Sequence, residues 1–231
     1  MTDNIQFGSR KINFKLEYSD RKSLGITVKP DLSILVKAPV DSKLDIIKIK
    51  LKKKAPWIIK QQSFFLTFHP KTPARKFISG ETHLYLGRQY RLKIIKNKTE
   101  SVKLIGKFIE VSTINKVKTK ELLRAWYLHN AKTKFQKIAK PLIYKFKKYK
   151  VEPSSIVLRD MRSRWGSCTP KGKIILNQEL IKAPKGCIEY VIIHELCHLI
   201  HHDHTQKFID LQKKEMPDWE KWKMKLEKLL A

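Results

Sequence analysis

The stretch His194–His204, HELCHLIHHDH, holds five of the chain's eight histidines in eleven positions. His194 and His198 are four apart, so on a helix they share one face about one turn from each other, with Glu195 beside them. The surrounding window YVIIHELCHLI, residues 190–200, is apolar on nearly every face apart from these three residues, which predicts a buried helix. Buried imidazoles and a buried carboxylate cost free energy unless they find partners, and a metal ion would be such a partner. A metal that activates water needs a third protein ligand and one open position. His201 shares the face of His194. At about 1.5 Å per residue, however, His194, His198 and His201 spread along about 10 Å of helix, in a line that makes a poor tetrahedron. His204 can join the pair only if the helix ends near His201 to Asp203 and the chain turns back; Glu215 is the downstream carboxylate alternative. His201 and His202 then read as helix C-terminal residues, favoured by the negative end of the dipole, with His201 also a candidate substrate contact.

Working outward, Ala183-Pro184 opens this helix, and two further helical stretches follow, split at Met216-Pro217-Asp218. Upstream, SIVLRD and KIILN read as strands, with SCTPKGK as a turn between them. Residues 119–139 repeat apolar positions Leu122, Ala125, Trp126, Phe135 and Ile138 at helical spacing, and Pro141 is expected to interrupt them. Before that the chain alternates. FKLEYS and GITVKPDLSILVKAP, with a turn at Lys29-Pro30-Asp31, suggest a hairpin or meander over residues 12–38. A helix with Leu44, Ile47, Leu51, Ala55 and Ile58 follows, with a kink or break at Pro56. The strand patterns THLYLG, YRLKIIK, SVKLI and FIEVST come next, the last two meeting at Gly106-Lys107. No internal repeat is evident. The expected class is α+β: a β-rich basic part over residues 1–115, a connecting helical segment over 116–150, and a catalytic part over 151–231.

Charge is unevenly distributed. Residues 1–150 carry 36 Lys and Arg against 10 Asp and Glu, and residues 151–231 carry 14 against 11. The basic excess suits non-specific nucleic acid or a nucleotide. It also suits plain lysine bias, because 41 of the 50 cations are Lys and Arg is the better phosphate fork. The three cysteines, Cys168, Cys187 and Cys197, form no CxxC pair and read as small core hydrophobes. Their odd number, the lack of a signal-peptide core in MTDNIQFGSRKINF and the lack of any window near eighteen apolar residues give a cytoplasmic, non-membrane expectation.

The pieces RSRWGSCTPKGKIILNQELIKAP, YVIIHELCHLIHHDHTQKF and MPDW, in that order, resemble the YgjP-like metallopeptidases, a zincin family related to the SprT-like proteases. The strong match covers residues 159–219, and the layout of the first 150 residues is similar in outline. The resemblance implies a zincin-like catalytic part, Zn²⁺ held by His194, His198 and His204, a catalytic Glu195, and a peptide or protein substrate. The metzincin pattern wants Gly where His201 stands, which disfavours that group. The residues themselves suggest further contacts. Trp165-Gly166-Ser167 can set a strand or tight turn against the active-site helix, with Arg162 or Arg164 near a bound anion. Tyr190 and Arg164 are candidates to stabilise an oxyanion, and KIILN can offer a strand edge to an extended peptide. Two alternatives stand beside the peptidase: a metal-dependent nucleotide pyrophosphatase or phosphohydrolase, and a nucleic-acid-associated SprT-like protease. Against the former, the chain lacks GxxxxGK[ST] and a carboxylate-rich setting for Mg²⁺.

Overall fold

Alternation builds the first unit. In β2 (Arg10–Tyr18) Ile12, Phe14 and Leu16 are buried and the residues between them exposed, and β4 (Ile34–Ala38) buries Ile34, Val36 and Ala38 in the same rhythm. β2 and β4 pair parallel at the centre; β1 (Thr2–Phe7) and β3 (Gly25–Val28) flank them antiparallel, in the order β1-β2-β4-β3. Helix α1 (Leu44–Leu66) adds Ile47, Leu51, Ala55 and Ile58 to the same core, as its four-residue spacing predicts. Two differences from the sequence reading stand out. β1 was not expected: it buries only Ile5, too weak an alternation to register. Pro56 neither breaks nor ends α1, because Ala55 and Ile58, both fully buried, anchor the helix on each side of the exposed ring. Of the turn at 29–31, Pro30 lies outside the described residues, while the Lys29 and Ser33 backbones close the loop at 2.8 Å.

The computed structural model describes residues 2–8, 10–29, 31–66, 75–161 and 164–230, with backbone alone at 64–66 and 230. Its α+β chain divides into Met1–Thr72 and Pro73–Leu230.

The second unit opens with β5 (Thr82–Tyr85), β6 (Arg88–Ile95), β7 (Ser101–Ile105) and β8 (Phe108–Ser112) in the order β5-β6-β8-β7, again with a parallel central pair. The sequence shows no repeat, yet the arrangement of four strands and a helix recurs. Sequence alone groups these strands with the first sheet. Their buried Leu92, Ile109 and Val111 instead share one core with the helices that follow. Helix α2 (Thr119–Phe146) runs through Pro141, held on both sides of it by Ile138, Ala139 and Phe146. Its buried stripe is Leu123, Tyr127, Ala131, Phe135 and Ile138; Ala125 is exposed, so the expected stripe was out of phase at its start. β9 (Ser155–Arg159), β10 (Gly166–Cys168) and β11 (Lys173–Asn177) form a third sheet in the order β10-β11-β9. The expected turn SCTPKGK is thus half strand. β11 is central, so KIILN offers no free edge; the edges belong to β10 and β9. A 3₁₀ turn (Gln178–Lys182) leads to α3 (Lys185–Cys197), α4 (Gln206–Glu215) and α5 (Trp219–Leu230). No described helix is long and apolar enough to cross a membrane.

The phase of α2 can be tested by substitution. Leu123→Ala should lower unfolding free energy by about 2–5 kcal/mol, whereas Ala125→Ser should change it by under ~0.5 kcal/mol. Urea titrations giving equal losses would contradict the observed stripe.

Candidate metal centre

Helix α3 is buried over nearly its whole surface: Ile188, Ile192, Leu196 and Cys197 are inaccessible, and Glu195 is 4% exposed. Pro184 caps its start. Regular helix stops at Cys197, several residues before the expected His201 to Asp203, and the chain leaves through a tight turn. In that turn Ile200 and His201 both donate to the Cys197 carbonyl, at 3.0 and 2.9 Å. The turn brings His204 back over the helix, where its Nε2 lies 3.0 Å from His194 Nε2. One ring nitrogen from each of His194, His198 and His204 falls within 4.8 Å of the others.

Each of the two helix histidines is oriented from its far side. His194 Nδ1 meets Gln212 Oε1 of α4 at 2.8 Å, and His198 Nδ1 meets the His201 carbonyl at 3.2 Å. Both partners are acceptors, so both Nδ1 atoms carry the proton and both Nε2 atoms present lone pairs. Burial pushes the His194 imidazole down to about 4 and lowers His198 as well, which keeps the rings neutral. Phe208, 2% exposed, packs against all three rings with centroids 4.6–5.0 Å away, an apolar backing for the polar cluster.

Three imidazoles turned toward one another fit a divalent transition metal of borderline softness. Ligand nitrogens about 2.0–2.1 Å from such an ion stand roughly 3.3 Å apart in a tetrahedron, close to the observed His194–His204 separation. Glu195 adds a second observation: its Oε2 is buried and has no hydrogen-bond partner among the described residues. Burial pushes its carboxyl up to about 8, with Arg164 opposing. β10 makes room for it. A Cβ on Gly166 would overlap Glu195 Oε1, so only glycine permits this approach of strand to helix. The resulting pocket, about 550 Å³, is lined by Arg164, Gly166, Ser167, Cys168, Pro170, His202 and the four residues of the cluster.

A family model described as YgjP-like, metallopeptidase domain matches residues 22–229. The chain belongs to the YgjP-like family. No curated protein and no solved structure matches it. As a YgjP-like metallopeptidase domain, the chain falls in a class of metal-dependent hydrolases that act on peptides, and its histidine triad can hold a metal.

The other candidates are distributed around this site. Arg164 lines the pocket; Arg162 lies outside the described residues. Trp165 is half-buried against the core, and its carbonyl accepts from Asn177 N at 2.8 Å. Tyr190 stacks on Trp219 behind His194 and is not part of the pocket wall. His201 serves through its carbonyl, and His202 takes the place at the wall where His201 was expected. Cys187 and Cys197 are core residues, but Cys168 is half-buried and lines the pocket, a departure from the core role expected of all three. Glu215 is committed elsewhere: Tyr149 Oη donates to it at 2.6 Å, and Lys148 and Lys145 lie at 2.9 and 3.1 Å. Sequence reasoning missed Gln212 and Phe208. The spacing Phe208, Leu211, Gln212 puts them on one face of α4, so a glutamine at a core position was the available signal.

Burial works to raise the Glu215 carboxyl, but the hydrogen bonds from Tyr149, Lys148 and Lys145 outweigh it and hold the group below its ordinary range. A depressed carboxyl stabilises the fold above its unfolded value and loses that effect as pH falls through the folded one. Glu215→Gln should therefore lower stability at neutral pH by roughly 1–3 kcal/mol. The deficit should shrink as pH falls below about 4, while any bound metal is retained. Thermal melts across pH with metal analysis check both halves; loss of metal would return Glu215 to the site.

Proposed function

We propose that the chain is a zinc-dependent, zincin-like peptidase in which His194, His198 and His204 hold the ion and Glu195 is the general base. The observation that carries this reading is the convergence of three imidazoles, two of them held from behind in one tautomer, beside a buried carboxylate with one oxygen that has no hydrogen-bond partner among the described residues. Zinc held there would supply Lewis acidity, polarising a water and the scissile carbonyl. The protein's own residues do the rest. Gln212 and the His201 carbonyl fix the two helix imidazoles in the tautomer that points Nε2 inward. Glu195, whose burial favours proton uptake, takes a proton from water and delivers it to the leaving nitrogen. Phe208 excludes water from behind the triad. Arg164, on the pocket wall, is placed to meet negative charge that develops on the substrate oxygen.

Strand β10 supports the choice of substrate. It is an edge strand of three residues that lines the pocket, so an extended peptide can pair with its open side and run past Glu195. That edge replaces KIILN in the role sequence suggested.

His194→Ala and His204→Ala should each abolish the single zinc equivalent measured by metal analysis, because a three-imidazole site reduced to two rarely retains metal. Glu195→Gln should keep zinc and lose peptide cleavage by about 10²–10⁴-fold. Full zinc in His204→Ala would remove that residue from the site, and normal cleavage by Glu195→Gln would remove the proposed base.

A further inference from the structure

A second concavity, about 730 Å³, lies in the same unit between the later turns of α2 and the segment running into β9. Its floor is apolar, built by Ala139, Ile143, Tyr144 and Ile156, and its charged lining is Lys140, Lys147 and Glu152. Tyr144 is 76% exposed, an unusual position for a ring that could have packed inward. Beside the groove, β9 pairs only with β11, so among the described residues one side of β9 has no strand along it. Its N–H and C=O groups on that side are open to pairing.

Charge identifies the occupant. From Lys132 to Lys150 the chain has eight lysines and no acidic residue. Glu215 engages Lys145 and Lys148, and Glu152 engages Lys147, which leaves Lys132, Lys134, Lys137, Lys140 and Lys150 without an acidic partner among the described residues; of these five, Lys140 lines the groove. An open strand edge suits a polypeptide backbone. An apolar floor suits alternate side chains of an added strand, and a cationic margin suits acidic residues between them. A nucleic acid would use the lysines but neither the strand edge nor the floor. We propose that the groove between α2 and β9 binds an extended acidic polypeptide segment, which adds to β9 as a further strand and seats apolar side chains against Ile143, Tyr144 and Ile156. This site is separate from the histidine pocket and does not depend on a metal.

The test uses the full chain and a dye-labelled synthetic peptide that alternates glutamate with valine, titrated by fluorescence anisotropy. A version with lysine for glutamate and a single-stranded oligothymidylate serve as comparisons. The acidic peptide should bind at least roughly ten-fold tighter than the basic one. Lys140→Glu and Tyr144→Ala should each weaken it several-fold with unchanged thermal unfolding, while Lys98→Glu, the same charge change on an exposed loop, should not. Amide hydrogen exchange at Ile156–Leu158 should slow when the peptide is bound. Equal binding of the two peptides, equal losses in Lys98→Glu and Lys140→Glu, or unchanged exchange in β9 would overturn the proposal. So would oligothymidylate displacing the peptide and losing affinity in Lys140→Glu, which would assign the lysines to nucleic acid.

Discussion

Burying a helix that carries ionisable side chains is the constraint on which the second unit depends. Glu195 is buried on α3 and His194 half-buried beside it, and an unsatisfied buried polar group costs about 1–3 kcal/mol. The fold answers for His194 by bringing α4 across so that Gln212 accepts its proton, and for His198 by folding the chain back so that the His201 carbonyl does the same. It answers for Glu195 only in part. β10 approaches closely enough that Gly166 is required, yet one carboxylate oxygen is left without a partner. Buried oxygens of Thr119 and Glu227 also lack a hydrogen bond among the described residues, but of these three groups Glu195 alone lines the pocket, where water and substrate would enter.

The same constraint explains what the sequence made legible. Spacing of four placed His194 and His198 together, and the apolar window around them marked a buried helix; both readings follow from local periodicity, and the structure agrees with them. The need for the chain to turn back before His204 was also visible. The place of the turn was not, because it depends on bifurcated bonding to the Cys197 carbonyl and on the bond between His198 and His201, which no propensity encodes. The core spacing of Gln212 on α4 was visible, but its role was not, for a related reason. A glutamine on an amphipathic helix reads as solvent-facing unless its partner, eighteen residues earlier, is known.

Prolines and strands show where local rules give way to packing. Pro56 and Pro141 both lie inside continuous helices, against an intrinsic cost of about 3 kcal/mol each, because buried residues on both sides hold the helical path. Strand β1 was missed, and β10 was read only as a strand or tight turn at Trp165-Gly166-Ser167, since each is short of the alternating apolar residues that a half-buried strand displays; pairing with β2 and β11 defines them instead. The pairing of β10 places Gly166 and Cys168 in the pocket, so a segment the sequence left between strand and turn forms one wall of the site.

In the proposed site three imidazole nitrogens share one ion and leave the remaining coordination open to oxygen. X-ray absorption fine structure at the zinc edge on the zinc-loaded full chain reads that directly. The expected spectrum has three imidazole nitrogens and one oxygen at about 2.0–2.1 Å. A sulfur scatterer at about 2.3 Å, which would bring Cys168 into the coordination sphere, or a fit requiring fewer than three imidazoles, would contradict it.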